Sequence, residues 1–209
     1  MTGTGQTILI TGFGPFPGVP RNVSGEIALA IGRQAAIHLA AWRTEAAVLE
    51  TEWGQGLARL RQLLDAHEPD IALHFGVSPF TGGFQIETIA HCSARAVPDA
   101  AGCLPADGAI FAAGRDLPSS FPASDIVDRL IGEGLPASLS TDAGRYLCNA
   151  ALHASLADAA SCGRPSLRGF VHIPVELTEE TLTFDDAVRG GLAILDVCIA
   201  AFGRPTGPV

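Results

Sequence analysis

Two residues of this chain have the types and setting that thiol chemistry needs. Cys148 lies in Gly144-Arg145-Tyr146-Leu147-Cys148-Asn149, and His172 follows 24 residues later in Gly169-Phe170-Val171-His172-Ile173-Pro174. A thiolate is the nucleophile in cysteine catalysis, and an adjacent imidazole holds it in that state near neutral pH. A third group, Glu87, has Ile86, Ile89 and Ala90 as neighbours. A carboxylate in such company needs a partner if it is buried, and a histidine N–H is a natural one because it fixes the ring's tautomer and orientation. The competing reading of each is structural: cysteine is often inert packing, a strand histidine is often satisfied by a carbonyl, and Glu87 could face outward.

These residues require a scaffold that brings distant segments together. Thr7–Thr11 is a β-branched and apolar run ended by Gly12, expected as a buried first strand feeding a loop from Gly12 to Pro20. Asn22 to Ser24 offers N-cap chemistry for a helix. Ala46–Leu49 and Ile71–Val77 read as strands, and Gln55–Ala66 as a helix between them. Phe84–Cys92 reads as a strand or the rim of a site, and Ala94–Ser120 as a long loop. Asp125–Glu133 is expected to be helical, Ala137–Ser140 a short strand, Cys148–Ala160 a helix, Gly169–Pro174 a strand, and the segment from Thr181 the closing helix. Strands alternating with helices predict an α/β layered sandwich with a largely parallel sheet, and no composition break divides residues 1–209.

Within that scheme Cys148 opens a helix, where backbone N–H groups and the helix dipole favour a thiolate and can bind a developing oxyanion. His172 ends a strand, at the edge where α/β sites gather. His74 sits inside an apolar strand and fits a satisfied core histidine. The Gly12-Phe13-Gly14-Pro15-Phe16-Pro17-Gly18 loop has neither phosphate-binding spacing, and the chain contains no lysine to meet a phosphate. Phe13 and Phe16 there suit the walls of a slot for a small, flat ligand.

The totals exclude several classes. A length of 209 residues supports a core without disulfides, and a net charge of -9 argues against nucleic acid as a partner. Five cysteines, Cys92, Cys103, Cys148, Cys162 and Cys198, show neither CxxC nor a metal-ligand array. No signal-peptide pattern and no membrane-length apolar run are present, so a cytoplasmic, reducing location is expected.

Four segments together resemble the pyroglutamyl peptidase type I (pyrrolidone-carboxylate peptidase) family of cysteine peptidases. They are Thr11–Phe16 with Asn22 and Ser24; Gly76-Val77-Ser78 leading to Ile86-Glu87; Ala143–Asn149; and Gly169–Pro174. The resemblance implies a single three-layer α/β/α sandwich with a Cys148, His172 and Glu87 triad. It further implies that Phe13 and Phe16 bracket the pyrrolidone ring and that Tyr146, Leu147 and Thr51 line the same pocket. It implies removal of N-terminal pyroglutamate from peptides, no cofactor or metal, no membrane or nucleic-acid partner, and a homo-oligomer, tetramer or dimer. The chain departs from the family's pattern at Thr88 and Cys92, where Arg and Asn are common, and at Gly25 and His153, where aromatics are. Two alternatives therefore stand beside it: a thiol amidohydrolase of another acyl specificity, and a non-catalytic small-ligand-binding protein on the same fold.

Overall fold

The first strand, β1 (Thr7–Phe13), is buried along its whole length, and its side chains divide by parity. Ile8 and Ile10 enter one apolar cluster, Leu9 and Phe13 another, as a strand between two helical layers requires. The computed structural model describes residues 5–106 and 114–202. After β1 come α1 (Val23–His38), β2 (Arg43–Leu49), α2 (Gln55–His67), β3 (Ile71–Ser78), β4 (Phe84–Glu87) and β5 (Ile89–Ala90). The chain continues through β6 (Leu117–Pro118), α3 (Ala123–Gly132), β7 (Ala137–Ser140), α4 (Leu147–Cys162), β8 (Leu167–Pro174) and α5 (Phe184–Phe202). The main sheet has the order β2-β1-β3-β8-β4-β7, and β5 pairs with β6 in a separate ribbon. Helices α1, α3 and α5 cover the Ile8 face, α2 and α4 the Leu9 face, which makes the three-layer α/β/α sandwich.

The sheet is mixed. Strands β2, β1, β3 and β8 are parallel, whereas β4 runs antiparallel to β8 and parallel to β7. Register sets the site's frame: Gly76 pairs with His172, His172 with Gln85, and Phe170 with Glu87. Because alternate residues share a face, Gly76, His172, Gln85 and Glu87 all look toward α4, while Phe75, Val171 and Ile86 fill the opposite core.

Three segments differ from the sequence expectation. Phe84–Cys92 is two short strands, because the Thr88 N–H and hydroxyl both donate to the Ser140 carbonyl, at 2.8 and 2.7 Å, and turn the chain out of the main sheet. The segment expected as loop from Ala94 to Ser120 contains β6; residues 107–113 of it lie outside the described residues. The last helix begins at Phe184 rather than Thr181, since the Thr183 hydroxyl accepts from the Asp186 N–H at 3.1 Å, an N-cap contact. At the first helix the expected cap is present, with Asn22 accepting from the Ser24 N–H.

Candidate active site

Cys148 is the second residue of α4. Gly144 makes the turn before it with φ +74, a conformation that favours glycine, and its N–H donates to Asp142 Oδ1 at 3.0 Å. Tyr146 then enters the helix as an extended N-cap whose side chain makes no capping bond, and the first intrahelical bond runs from Ala150 N–H to the Tyr146 carbonyl. The N–H groups of Leu147, Cys148 and Asn149 therefore have no acceptor within the helix, in the same turn that carries the thiol. Across from it lies Gly76. A Cβ built there would sit 2.9 Å from Cys148 Sγ and 2.7 Å from the Phe170 ring, so the sulfur occupies space that any other residue would fill.

His172 stands one strand over from Gly76 and is 6% exposed; Glu87 is completely buried. Gln85 is the direct cross-strand neighbour of His172, which makes Glu87 the diagonal one, within reach of a long side chain. His172 Nδ1 donates to Glu87 Oε1 at 2.7 Å. Burial alone would lower the affinity of the His172 ring for a proton. The negative charge of Cys148 and a hydrogen bond to it, reinforced by Glu87, outweigh burial and push the imidazole up to about 9. The resulting arrangement sets the Cys148 sulfur beside a histidine ring whose far nitrogen is held by Glu87.

A cavity of about 420 Å³ opens onto both Cys148 and His172. Phe13, Phe16, Thr51, Tyr146 and Leu147 all line it, so every pocket residue expected from the sequence faces one space. Phe16 and Tyr146 rings face each other at 6.3 Å. Phe13 is 3% exposed and packs on Phe170, and its N–H is fixed by the Ser24 hydroxyl at 3.1 Å. Thr51 and Asn22 both donate to the Gly14 carbonyl, at 2.7 and 3.0 Å, which pins the aromatic loop. Glu87 lies behind the histidine rather than on the cavity wall.

Several supporting residues were missed or left without a role by the sequence. Asn149, directly after the cysteine, accepts from His91 N–H and donates to the His91 carbonyl, both at 2.8 Å, and so ties α4 to the segment that continues from Glu87. Its position beside Cys148 was the available signal. His91, for which the sequence offered no partner, bonds Asp116 through Nδ1 at 2.8 Å and the Thr141 carbonyl through Nε2 at 3.0 Å. The backbone N–H of Cys92, together with His91, holds the Asp116 carboxyl down at about 2. His153 places Nε2 on the Arg115 carbonyl at 3.0 Å.

Asp99 is an anchor: burial would raise its carboxyl, but N–H groups of Trp53, Cys103 and Ala101 surround it and hold it below its ordinary value. That anchor seats the outer wall, where the Tyr146 hydroxyl donates to the Pro98 carbonyl and its ring meets Trp53 edge-on at 5.4 Å. His74 is a satisfied core histidine, bridging Thr11 and Ser155 at 2.7 and 2.9 Å; burial, with the nearby Arg168 charge, lowers it to about 3. Gln85 and Arg95 also line the cavity. Strand alternation from Glu87 was a signal for Gln85. Among the described residues no group of three or more His, Cys, Asp or Glu side chains is arranged to hold a metal ion. No helix among them is long and apolar enough to cross a membrane.

Fold and site together have the equipment of an α/β thiol hydrolase: a cysteine in a helix's first turn, an imidazole, a buried acid and an aromatic slot. The sequence profile of the pyroglutamyl peptidase family matches residues 6–194, and the chain belongs to that family. It is 34% identical over 169 residues to the pyrrolidone-carboxylate peptidase of Pyrococcus furiosus, covering 80% of each chain. It is 33% identical over 201 residues to that of Chromobacterium violaceum, covering 94% of this chain and 89% of the other. The crystal structure of the pyrrolidone carboxyl peptidase from Pyrococcus furiosus superposes with a TM-score of 0.86 at 27% identity, over 94% of this chain and 100% of that one.

Proposed function

We propose that this chain is a cysteine peptidase that removes an N-terminal pyroglutamyl residue from peptides, with Cys148 as nucleophile, His172 as acid and base, and Glu87 orienting His172. The observation that carries the assignment is the shared cavity, in which Cys148 and the Glu87-bonded His172 meet the slot formed by Phe13, Phe16 and Tyr146. The thiolate attacks the pyroglutamyl carbonyl carbon, and the carbonyl oxygen takes the negative charge opposite the first-turn N–H groups of α4. Collapse of that adduct breaks the C–N bond as His172 protonates the leaving nitrogen, which leaves a thioester on Cys148. His172 then takes a proton from water, hydroxide adds to the thioester, and pyroglutamate departs with the thiolate restored.

The slot explains selectivity. A five-membered lactam is flat and uncharged, whereas a free N-terminal amine would bring an unpaired ammonium among aromatic rings at a desolvation cost. Hydrolysis of a fluorogenic pyroglutamyl amide, with an alanyl amide as control, tests this. Iodoacetamide-sensitive cleavage of the first alone is expected; cleavage of both equally, or of neither, would overturn it. The five cysteines are free thiols, in keeping with a cytoplasmic enzyme. Family resemblance supports a homotetramer or dimer built from one-domain chains, which sedimentation analysis would check.

A further inference from the structure

The strand order gives the cavity a direction. Phe13 and Phe16 belong to the end of β1 and the loop after it, and Thr51 follows β2; these lie at one side. Cys148 Sγ sits over Gly76 of the next strand, β3. Beyond β3 come β8 with His172, then β4 with Gln85, then β7 ending at Ser140, and the same cavity reaches all of them. A pyroglutamyl residue whose lactam ring is seated against the aromatic slot therefore presents its exocyclic α-carbonyl at Cys148 and the leaving nitrogen of the following residue to His172. The peptide beyond that nitrogen has to run on toward β4 and β7.

On that side stands Phe80. It is 91% exposed, takes part in neither apolar cluster, and yet lines the cavity. It belongs to the connection from β3 to β4, which must pass the end of β8 because β8 lies between them. The connection is braced from within: Phe80 N–H donates to the Ser78 hydroxyl at 3.2 Å, and the Thr81 hydroxyl donates to the Gly83 carbonyl at 3.0 Å. An aromatic ring held in water at the mouth of a cavity gains when an apolar group covers it. Gln85, between Phe80's loop and Glu87 in sequence, adds a polar amide on the same side.

We propose that Phe80 is the contact for the side chain that follows the pyroglutamyl residue, so that aromatic and large aliphatic residues are favoured there. This rests on the pyroglutamyl peptidase assignment and extends it to the departing half of the substrate. The test is kcat/KM for pyroglutamyl-Phe, -Leu, -Ala and -Gly amides with the wild-type protein, Phe80→Ala and Phe80→Trp. An aromatic pair at a partly exposed site predicts a wild-type preference for Phe over Gly of about threefold to tenfold. That ratio should collapse toward one in Phe80→Ala and persist in Phe80→Trp. Equal ratios in wild type and Phe80→Ala, with all four peptides cleaved, would overturn the subsite and leave the peptidase assignment standing. Failure of the wild type to cleave any of the four would overturn the assignment, and the subsite with it.

Discussion

Gly76 and His172 are register partners across β3 and β8, and the side chain that Gly76 lacks is replaced by the sulfur of Cys148. This single pairing brings nucleophile and imidazole together from segments far apart in sequence. It predicts that Gly76→Ala displaces the thiol, since the new methyl would meet Sγ at 2.9 Å and Phe170 at 2.7 Å. A misplacement of that order costs roughly 100-fold in kcat. Steady-state kinetics beside a melting curve would check it; unchanged kcat would mean that the sulfur does not work from this position.

Cys148→Ser replaces the sulfur with a hydroxyl, a far weaker nucleophile at neutral pH. Turnover should fall by at least about 1000-fold while the melting temperature stays close to wild type, because the side chain keeps its size. Wild-type hydrolysis by this variant would remove Cys148 as nucleophile.

The His172–Glu87 pair predicts a pH dependence with a definite sign. The His172 imidazole is raised from 6.5 to about 9, so it stays protonated in the folded protein where it would already be neutral unfolded. Its contribution to stability is complete below about 6.5, and is lost as pH rises through about 9. Activity should fall on an alkaline limb near the same value, as the proton for the leaving nitrogen is lost. Glu87→Gln should lower kcat by roughly 100-fold to 10,000-fold and shift that limb to lower pH. A limb that does not move in the variant would disconnect Glu87 from the imidazole.

Phe13 and Phe16 line the same slot but predict different phenotypes. Phe13 is in the core beside Phe170, so Phe13→Ala should destabilise by about 3–5 kcal/mol as well as raise KM. Phe16 is only half-buried against Tyr146, so Phe16→Ala should raise KM with little change in melting temperature. Denaturant titration with parallel KM measurements separates the two, and an unchanged KM in Phe16→Ala would take that ring out of the slot.

The sequence made the strand and helix order legible because apolar runs, Asn22 and the turn glycines are local signals. Cys148 and His172 were legible for a related reason: one opens a helix and the other closes a strand. Glu87 was readable as a buried acid, but its contact with His172 depends on β4 running against β8, which no local pattern encodes. Thr51 came only from family resemblance, since its hydroxyl acts on Gly14 from a different segment. Asp99 and His91 were opaque because their partners, Trp53, Asp116 and Thr141, are brought to them by the packing of a long excursion.

The connection from β3 to β4 is fastened at both ends, by Ser78 paired with Pro174 and by Phe84 paired with Ala137. Pro79 to Gly82 can therefore change in sequence while the sheet keeps Gly76, His172 and Glu87 in place, whereas Gly83 is held to glycine because a Cβ there would meet the Pro136 carbonyl at 2.2 Å. Bond breaking and recognition of the departing peptide are thus separable traits in this scaffold. Relatives that differ only in these four residues would process different pools of blocked peptides with the same catalytic machinery.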